Sequence, residues 1–129
     1  MNQLLAFPPP VHFVLNEDEE ALVSVMDCLD EASPRSETEA ARLCAELLAI
    51  PQVARRIGLT EDLPPEIENG TDVVELVAAA LEQHYVEGLP AGEVVAQIQT
   101  LLGRTEVIEL YDTVMSRRPG GIRDADHWH

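Results

Sequence analysis

Lysine is missing altogether. The 129 residues carry 24 aspartates and glutamates against eight cations, all of them arginine, for a formal net charge of −16. Binding to a phosphate backbone requires clustered cations that release counterions, and single-strand binders add aromatic stacking platforms. Eight scattered arginines and five aromatic residues (Phe7, Phe13, Tyr85, Tyr111 and Trp128) supply neither. Nucleic acid is therefore not expected as a partner, and an anionic membrane surface is disfavoured on the same ground.

Long apolar runs are also lacking. The longest uncharged stretch, Met1 to Asn16, is interrupted by Pro8-Pro9-Pro10 and has neither a basic leader nor a small-residue cleavage site. It reads as neither a signal peptide nor a membrane span. The two cysteines, Cys28 and Cys44, form no CxxC and share no ligand spacing with histidine. A disulfide scaffold is excluded. Both fall in apolar helical patterns, which predicts buried free thiols in a reducing, cytoplasmic setting.

Catalytic motifs are equally scarce. There is no GxSxG, HExxH, GxGxxG or P-loop, and no Glu-x-x-His unit of the kind a helical di-iron site requires. His84 and Glu87 share a helix face but stand alone, and nothing around Cys44 or His84 marks a nucleophilic pair. The tail Asp124-Ala125-Asp126-His127-Trp128-His129 holds side chains that zinc, nickel or copper accept. A terminal run must be ordered to hold a metal and normally needs a rigid surrounding shell. It reads as an incidental end, or as a docking segment anchored by Trp128. No enzyme activity, cofactor or metal is expected.

What the chain does contain is a helical core. With 46% hydrophobic residues and few aromatics, one domain built from Leu, Val, Ile and Ala can bury roughly two-thirds of its unfolded surface. Asn16 caps a first helix with Glu19 at its third position, and Leu22, Val25, Met26 and Leu29 make one apolar stripe. Ser36-Glu37-Thr38-Glu39 is a capping box for a second helix with Ala40, Leu43, Cys44, Leu47 and Leu48, ending before Pro51. Pro51 opens a short helix closed by Gly58. A long loop follows, through Pro64-Pro65 and Asn69-Gly70, and Thr71 caps a third main helix carrying Val73, Val74, Val77, Ala80, Leu81 and Tyr85. Two more helices follow, one after Pro90 and one capped by Thr105, the last ending in Arg117-Arg118, where cations complement the helix dipole. The fold class is all-α: a compact bundle of five to six helices over residues 16–118. Residues 1–15 are expected as an extended segment, a proline-stiffened strap that packs on the helices or pairs with another chain, and 119–129 as a frayed, flexible tail.

Val53-Ala54-Arg55-Arg56-Ile57-Gly58-Leu59-Thr60 resembles the first half of a helix-turn-helix. The segment that should become the recognition helix, Glu61-Asp62-Leu63-Pro64-Pro65-Glu66, is acidic and broken by proline, so DNA reading is not expected. Arg55 and Arg56 are expected to pair with neighbouring carboxylates.

The acids are distributed unevenly. Residues 17–31 hold seven and residues 61–93 hold nine, with no cation in either stretch; together they equal the whole net charge, because the other eight acids balance the eight arginines. Solvated helix faces and helix capping explain part of this. Uncompensated charge also costs stability through self-repulsion, and an acidic surface speeds encounter with a basic one. The expectation is a non-enzymatic module that engages a protein partner with a basic surface through Glu61, Asp62, Glu66, Glu68, Asp72 and Glu75, with Glu20, Asp27 and Glu31. Its sharpest form is a nucleic-acid-mimic inhibitor, of the anti-CRISPR, nuclease-inhibitor, immunity-protein or antitoxin type. The alternative is an assembly or maturation chaperone, or a small structural subunit, that binds through its apolar N-terminal segment.

Overall fold

A computed structural model describes residues 16–29, 32–59 and 63–117. Among them are six helices and no strand: α1 (Glu17–Leu29), α2 (Glu37–Leu48), α3 (Pro51–Ala54), α4 (Gly70–Tyr85), α5 (Ala91–Leu102) and α6 (Thr105–Arg117). The all-α bundle expected from the sequence is what forms. The strap and tail expectations, for residues 1–15 and 119–129, lie outside the described residues.

α4 runs through the middle of the bundle. It packs on α1, α3 and α5, while α2 lies against α5 and α1. The centre is aliphatic: Leu22, Leu47, Leu81, Ile98 and Val25, Val53, Val73, Val74, Val77, Val94, Val95 and Val107 are all essentially sealed from solvent. Among the described residues no buried position is polar or charged. Each sealed Val, Leu or Ile contributes about 1.5–3 kcal/mol relative to exposure. Short β-branched side chains let the helices pack closely in place of the aromatics that the composition withholds.

The helix ends follow local chemistry, with three departures from expectation. Asn16 and Glu19 form the reciprocal box: the Glu19 amide donates to Asn16 Oδ1 at 2.8 Å, and the Asn16 amide to Glu19 Oε1 at 3.1 Å. At α2 the box is only half formed. Ser36 Oγ accepts from the Glu39 amide at 3.1 Å, but the Glu39 carboxylate takes the Arg35 amide instead. At α4 the cap is Asn69 rather than Thr71. Asn69 Oδ1 and Asp72 Oδ2 exchange backbone amides in a full box, and the Thr71 hydroxyl is drawn away to donate to Asp18 Oδ2 at 2.6 Å. The helix consequently starts at Gly70, where a Cβ would lie 3.1 Å from the Asp18 carbonyl oxygen. At α6, Thr105 is the first helical residue instead of the cap.

Residues 63–69 form no helix, so no recognition helix follows the Val53–Leu59 segment; the next helix, α4, is the buried core element. Ile67 reaches into the core and fixes this loop against the bundle. Gly58 and Gly88 both adopt positive φ, which closes α3 and α4 in a conformation that suits glycine. A connection absent from the local sequence pattern joins α2 to α5: the Glu37 carboxylate accepts the Ala91 and Gly92 amides, capping a helix start that Pro90 leaves without a side-chain acceptor. No described helix is long and apolar enough to cross a membrane.

Candidate acidic interaction surface

The two cation-free stretches meet where the N-terminus of α1 lies against the N-terminus of α4. Glu17, Asp18, Glu19 and Glu20 occupy the first turn of α1, the position in which a helix dipole tolerates crowded carboxylates. The close backbone approach at Gly70 brings α4 beside them, and the loop residues Glu66 and Glu68 precede that contact by only a few positions.

Arginines from elsewhere fold into this end. Arg55 Nη2 lies 2.6 Å from Glu17 Oε1, and Arg56 Nη2 lies 3.1 Å from Asp18 Oδ2 with its Nε 3.9 Å from Glu75 Oε2. Arg117, at the end of α6, pairs with the other oxygen of Glu19. The pairing expected for Arg55 and Arg56 is present. Arg117 does more than complement its own helix dipole, because it ties α6 to α1. Hydrogen bonding to the Arg55 guanidinium holds the exposed Glu17 carboxyl below its ordinary range. An open cleft of about 690 Å³ lies between α1, α3 and α4, with Glu17, Asp18 and Glu75 facing Arg55 and Arg56 and Leu59 at its edge. Leu59 is 72% exposed, an apolar side chain displayed beside the charges.

The nine candidate residues fall into three groups. Glu31, Glu61 and Asp62 lie outside the described residues. Glu20, Asp27, Glu66 and Glu68 are exposed, and no arginine among the described residues forms an ion pair with any of them. Asp72 and Glu75 are half-buried and have internal work. Asp72 Oδ2 accepts the Glu68 and Asn69 amides at 2.7 and 3.2 Å, and Glu75 faces Arg56.

Glu20 and Asp27 share the solvent face of α1, about 10 Å apart along its axis. The remaining acids of 61–93 do not join this surface. Glu82 accepts the Gly58 amide at 2.9 Å, and Glu87 and Glu93 sit beyond the far end of α4. Linear clustering therefore overstates the patch. The surface consists of one end of the bundle and one face of α1.

The other reactive side chains are held in structural contacts. Cys44 is sealed in the core, and burial pushes its thiol pKa up. Cys28, expected to be buried, is only half-buried; its Sγ lies 3.5 Å from Glu46 Oε1, and burial together with that carboxylate pushes the thiol to about 11. Neither environment favours a thiolate at neutral pH. His84 Nδ1 lies 2.7 Å from the Leu89 carbonyl oxygen, within the turn that ends α4, and its ring meets Tyr85 edge-on. Among the described residues no group of three His, Cys, Asp or Glu side chains could hold a metal ion. The candidate metal tail, Asp124 to His129, lies outside the described residues.

Comparison with protein-family models, curated proteins and solved structures finds no match for this chain.

Proposed function

We propose that this chain is a non-enzymatic protein-binding module whose acidic end engages a basic surface on a partner protein. The observation that carries this reading is the convergence of the α1 and α4 N-termini, which brings the loop carrying Glu66 and Glu68 up to the acidic first turn of α1, with no arginine among the described residues in an ion pair with Glu20, Glu66 or Glu68. Asp27 extends the negative surface along α1. Leu59 offers a neighbouring apolar contact, the kind of element that adds affinity where rim charges mainly contribute encounter rate and orientation.

The general reading is better supported than nucleic-acid mimicry. A mimic presents regularly spaced, uncompensated anions, whereas here Asp72 is spent on a helix cap and three arginines enter the same end. The test is capture of partners from source-cell lysate with the native chain and with a variant carrying Glu20→Gln, Asp27→Asn, Glu66→Gln and Glu68→Gln. The expected result is a basic protein retained by the native chain at low ionic strength, lost as salt rises, and absent from the variant. Capture that is indifferent to both salt and the substitutions, but abolished by deleting residues 1–15, overturns the reading in favour of apolar association through the N-terminal segment.

A further inference from the structure

The α1–α4 junction places separate demands on two neighbouring residues. α4 needs a capping oxygen at position 69, and Asn69 Oδ1 supplies it to the Asp72 amide at 3.1 Å. Position 70 must lack a Cβ, which would lie 3.1 Å from the Asp18 carbonyl oxygen. The two demands together put an Asn-Gly pair at the joint; of the three asparagines in the chain, only Asn69 precedes glycine. An asparagine can lose ammonia by closing a ring on the next residue. The backbone nitrogen of that residue gives up its proton and bonds to Cγ, the bond from Cγ to the side-chain nitrogen breaks, and ammonia leaves with the proton. A following glycine favours the step, because no Cβ hinders its nitrogen. Water then opens the ring at either carbonyl, giving aspartate or isoaspartate.

Asn69 is exposed, so water reaches it, yet its backbone is set against ring closure. The ring requires Cβ to lie close to the plane of the 69–70 peptide. With ψ at 178° it stands well out of that plane. Turning the Asn69 Cα–C bond moves Gly70, which is buried and packed on the backbone of α1. Closing the ring also takes the capping oxygen from the Asp72 amide and disturbs the other half of the box, in which the Asn69 amide donates to Asp72 Oδ2 at 3.2 Å. We propose that Asn69 is a latent deamidation site, which the folded junction holds inactive and whose isoaspartyl product cannot rebuild that junction. The aspartyl product keeps the cap, since aspartate caps a helix as well as asparagine does. The isoaspartyl product adds one carbon to the backbone immediately before Gly70, where α1 and α4 leave little room for another atom. Opening of the junction becomes irreversible once this product forms. The chemistry requires water alone and no partner.

The test incubates the full chain at pH 8, folded and in guanidinium chloride, and follows Asn69 by peptide mass mapping that separates the aspartyl and isoaspartyl forms. The reactive conformer forfeits both halves of the box, so the folded chain is expected to react about ten- to a hundredfold more slowly than the unfolded one. Asp72→Ala removes one half of the box and is expected to raise the folded rate about three- to tenfold. Hydrogen exchange on the isoaspartyl chain is expected to show lost protection at residues 20–24 of α1 and 73–77 of α4, while α5 keeps its own. Asn69→Asp is the control: it carries the new charge on an unaltered backbone and is expected to keep its protection throughout. Equal rates in the folded and unfolded chains, or no effect of Asp72→Ala, overturn the protection of Asn69 by the junction. Native exchange in the isoaspartyl chain overturns the consequence drawn for its product.

Discussion

Replacing Gly70 by alanine tests whether the junction that unites the two acidic stretches is rigid. Two effects of opposite sign compete. Alanine is favoured over glycine in a helix by roughly 0.5–1 kcal/mol, less at a first position such as this one. Against that, the new Cβ meets the Asp18 carbonyl oxygen at 3.1 Å and the Asp18 carbonyl carbon and Glu19 nitrogen at 3.3 Å. All three are backbone atoms of a capped helix turn held by Arg56, Thr71 and Arg117. They cannot swing aside as a flexible side chain does, and overpacking of this kind typically costs about 1–3 kcal/mol. The clash wins, and Gly70→Ala is expected to destabilise the chain by about 1 kcal/mol, a fall in Tm of roughly 3–5 °C.

Gly92→Ala is the matched comparison. Its new Cβ meets only Glu37 Oε1, at 3.4 Å, the tip of a flexible side chain. The helix preference should prevail there, so that Gly92→Ala is as stable as the native chain or slightly more so. Urea denaturation with both variants and the native chain, at unchanged m-value, measures the difference. Gly70→Ala unfolding at or above the midpoint of Gly92→Ala would show that α1 and α4 give way to each other, and the argument for a fixed acidic end would fail with it.

Leu81→Ala, at the centre of α4 and sealed from solvent, is expected to cost about 2–5 kcal/mol in the same denaturation assay. In the native chain Cys28 should react with a disulfide reagent at pH 8 about a hundredfold more slowly than an unhindered thiol of ordinary pKa near 9, since its thiol is pushed to about 11. Because the unfolded thiol releases its proton first, Cys28 contributes stability that is complete below pH 9 and declines as pH rises through 9 to 11; equilibrium unfolding across that range checks the sign, and Cys28→Ser should remove this share of the decline. Glu17, held low by Arg55, contributes in the opposite sense: its stabilisation is present above the ordinary value of 4.5 and is lost as pH falls through its lowered pKa. An NMR titration should find the Glu17 carboxyl returning towards 4.5 in Arg55→Gln.

Most of the fold was legible because its determinants are local. The apolar stripes of α1, α2, α4, α5 and α6, Pro51 and the two closing glycines, and the Asn16–Glu19 box each act within a few residues. The misreadings arose where a group other than the expected partner, near or far in sequence, claimed the side chain. Thr71 looked like a cap until Asp18, far away in sequence, claimed its hydroxyl, and the cap passed to Asn69. Glu39 turned to Arg35 instead of closing the Ser36 box. Cys28 sits in an apolar pattern, yet its helix face leaves it at the edge beside Glu46.

The candidate surface was legible only in part. Charge counting located the acids but not their spatial neighbours: it treated Asp72 and Glu75 like Glu66 and Glu68, although the first two are turned to a cap and an arginine. It read Arg117 as a dipole complement, and had no means of seeing Glu37 reach α5.

Composition and periodicity by themselves determined that this chain is an acidic, aliphatic-cored helical domain, since burial of apolar stripes and helix-end chemistry depend on which residues lie within one or two turns. Which carboxylates remain unpaired was decided by tertiary structure alone. Ion pairing acts over a few ångströms of space, and only packing α1 against α3, α4 and α6 brings Arg55, Arg56 and Arg117 within that range.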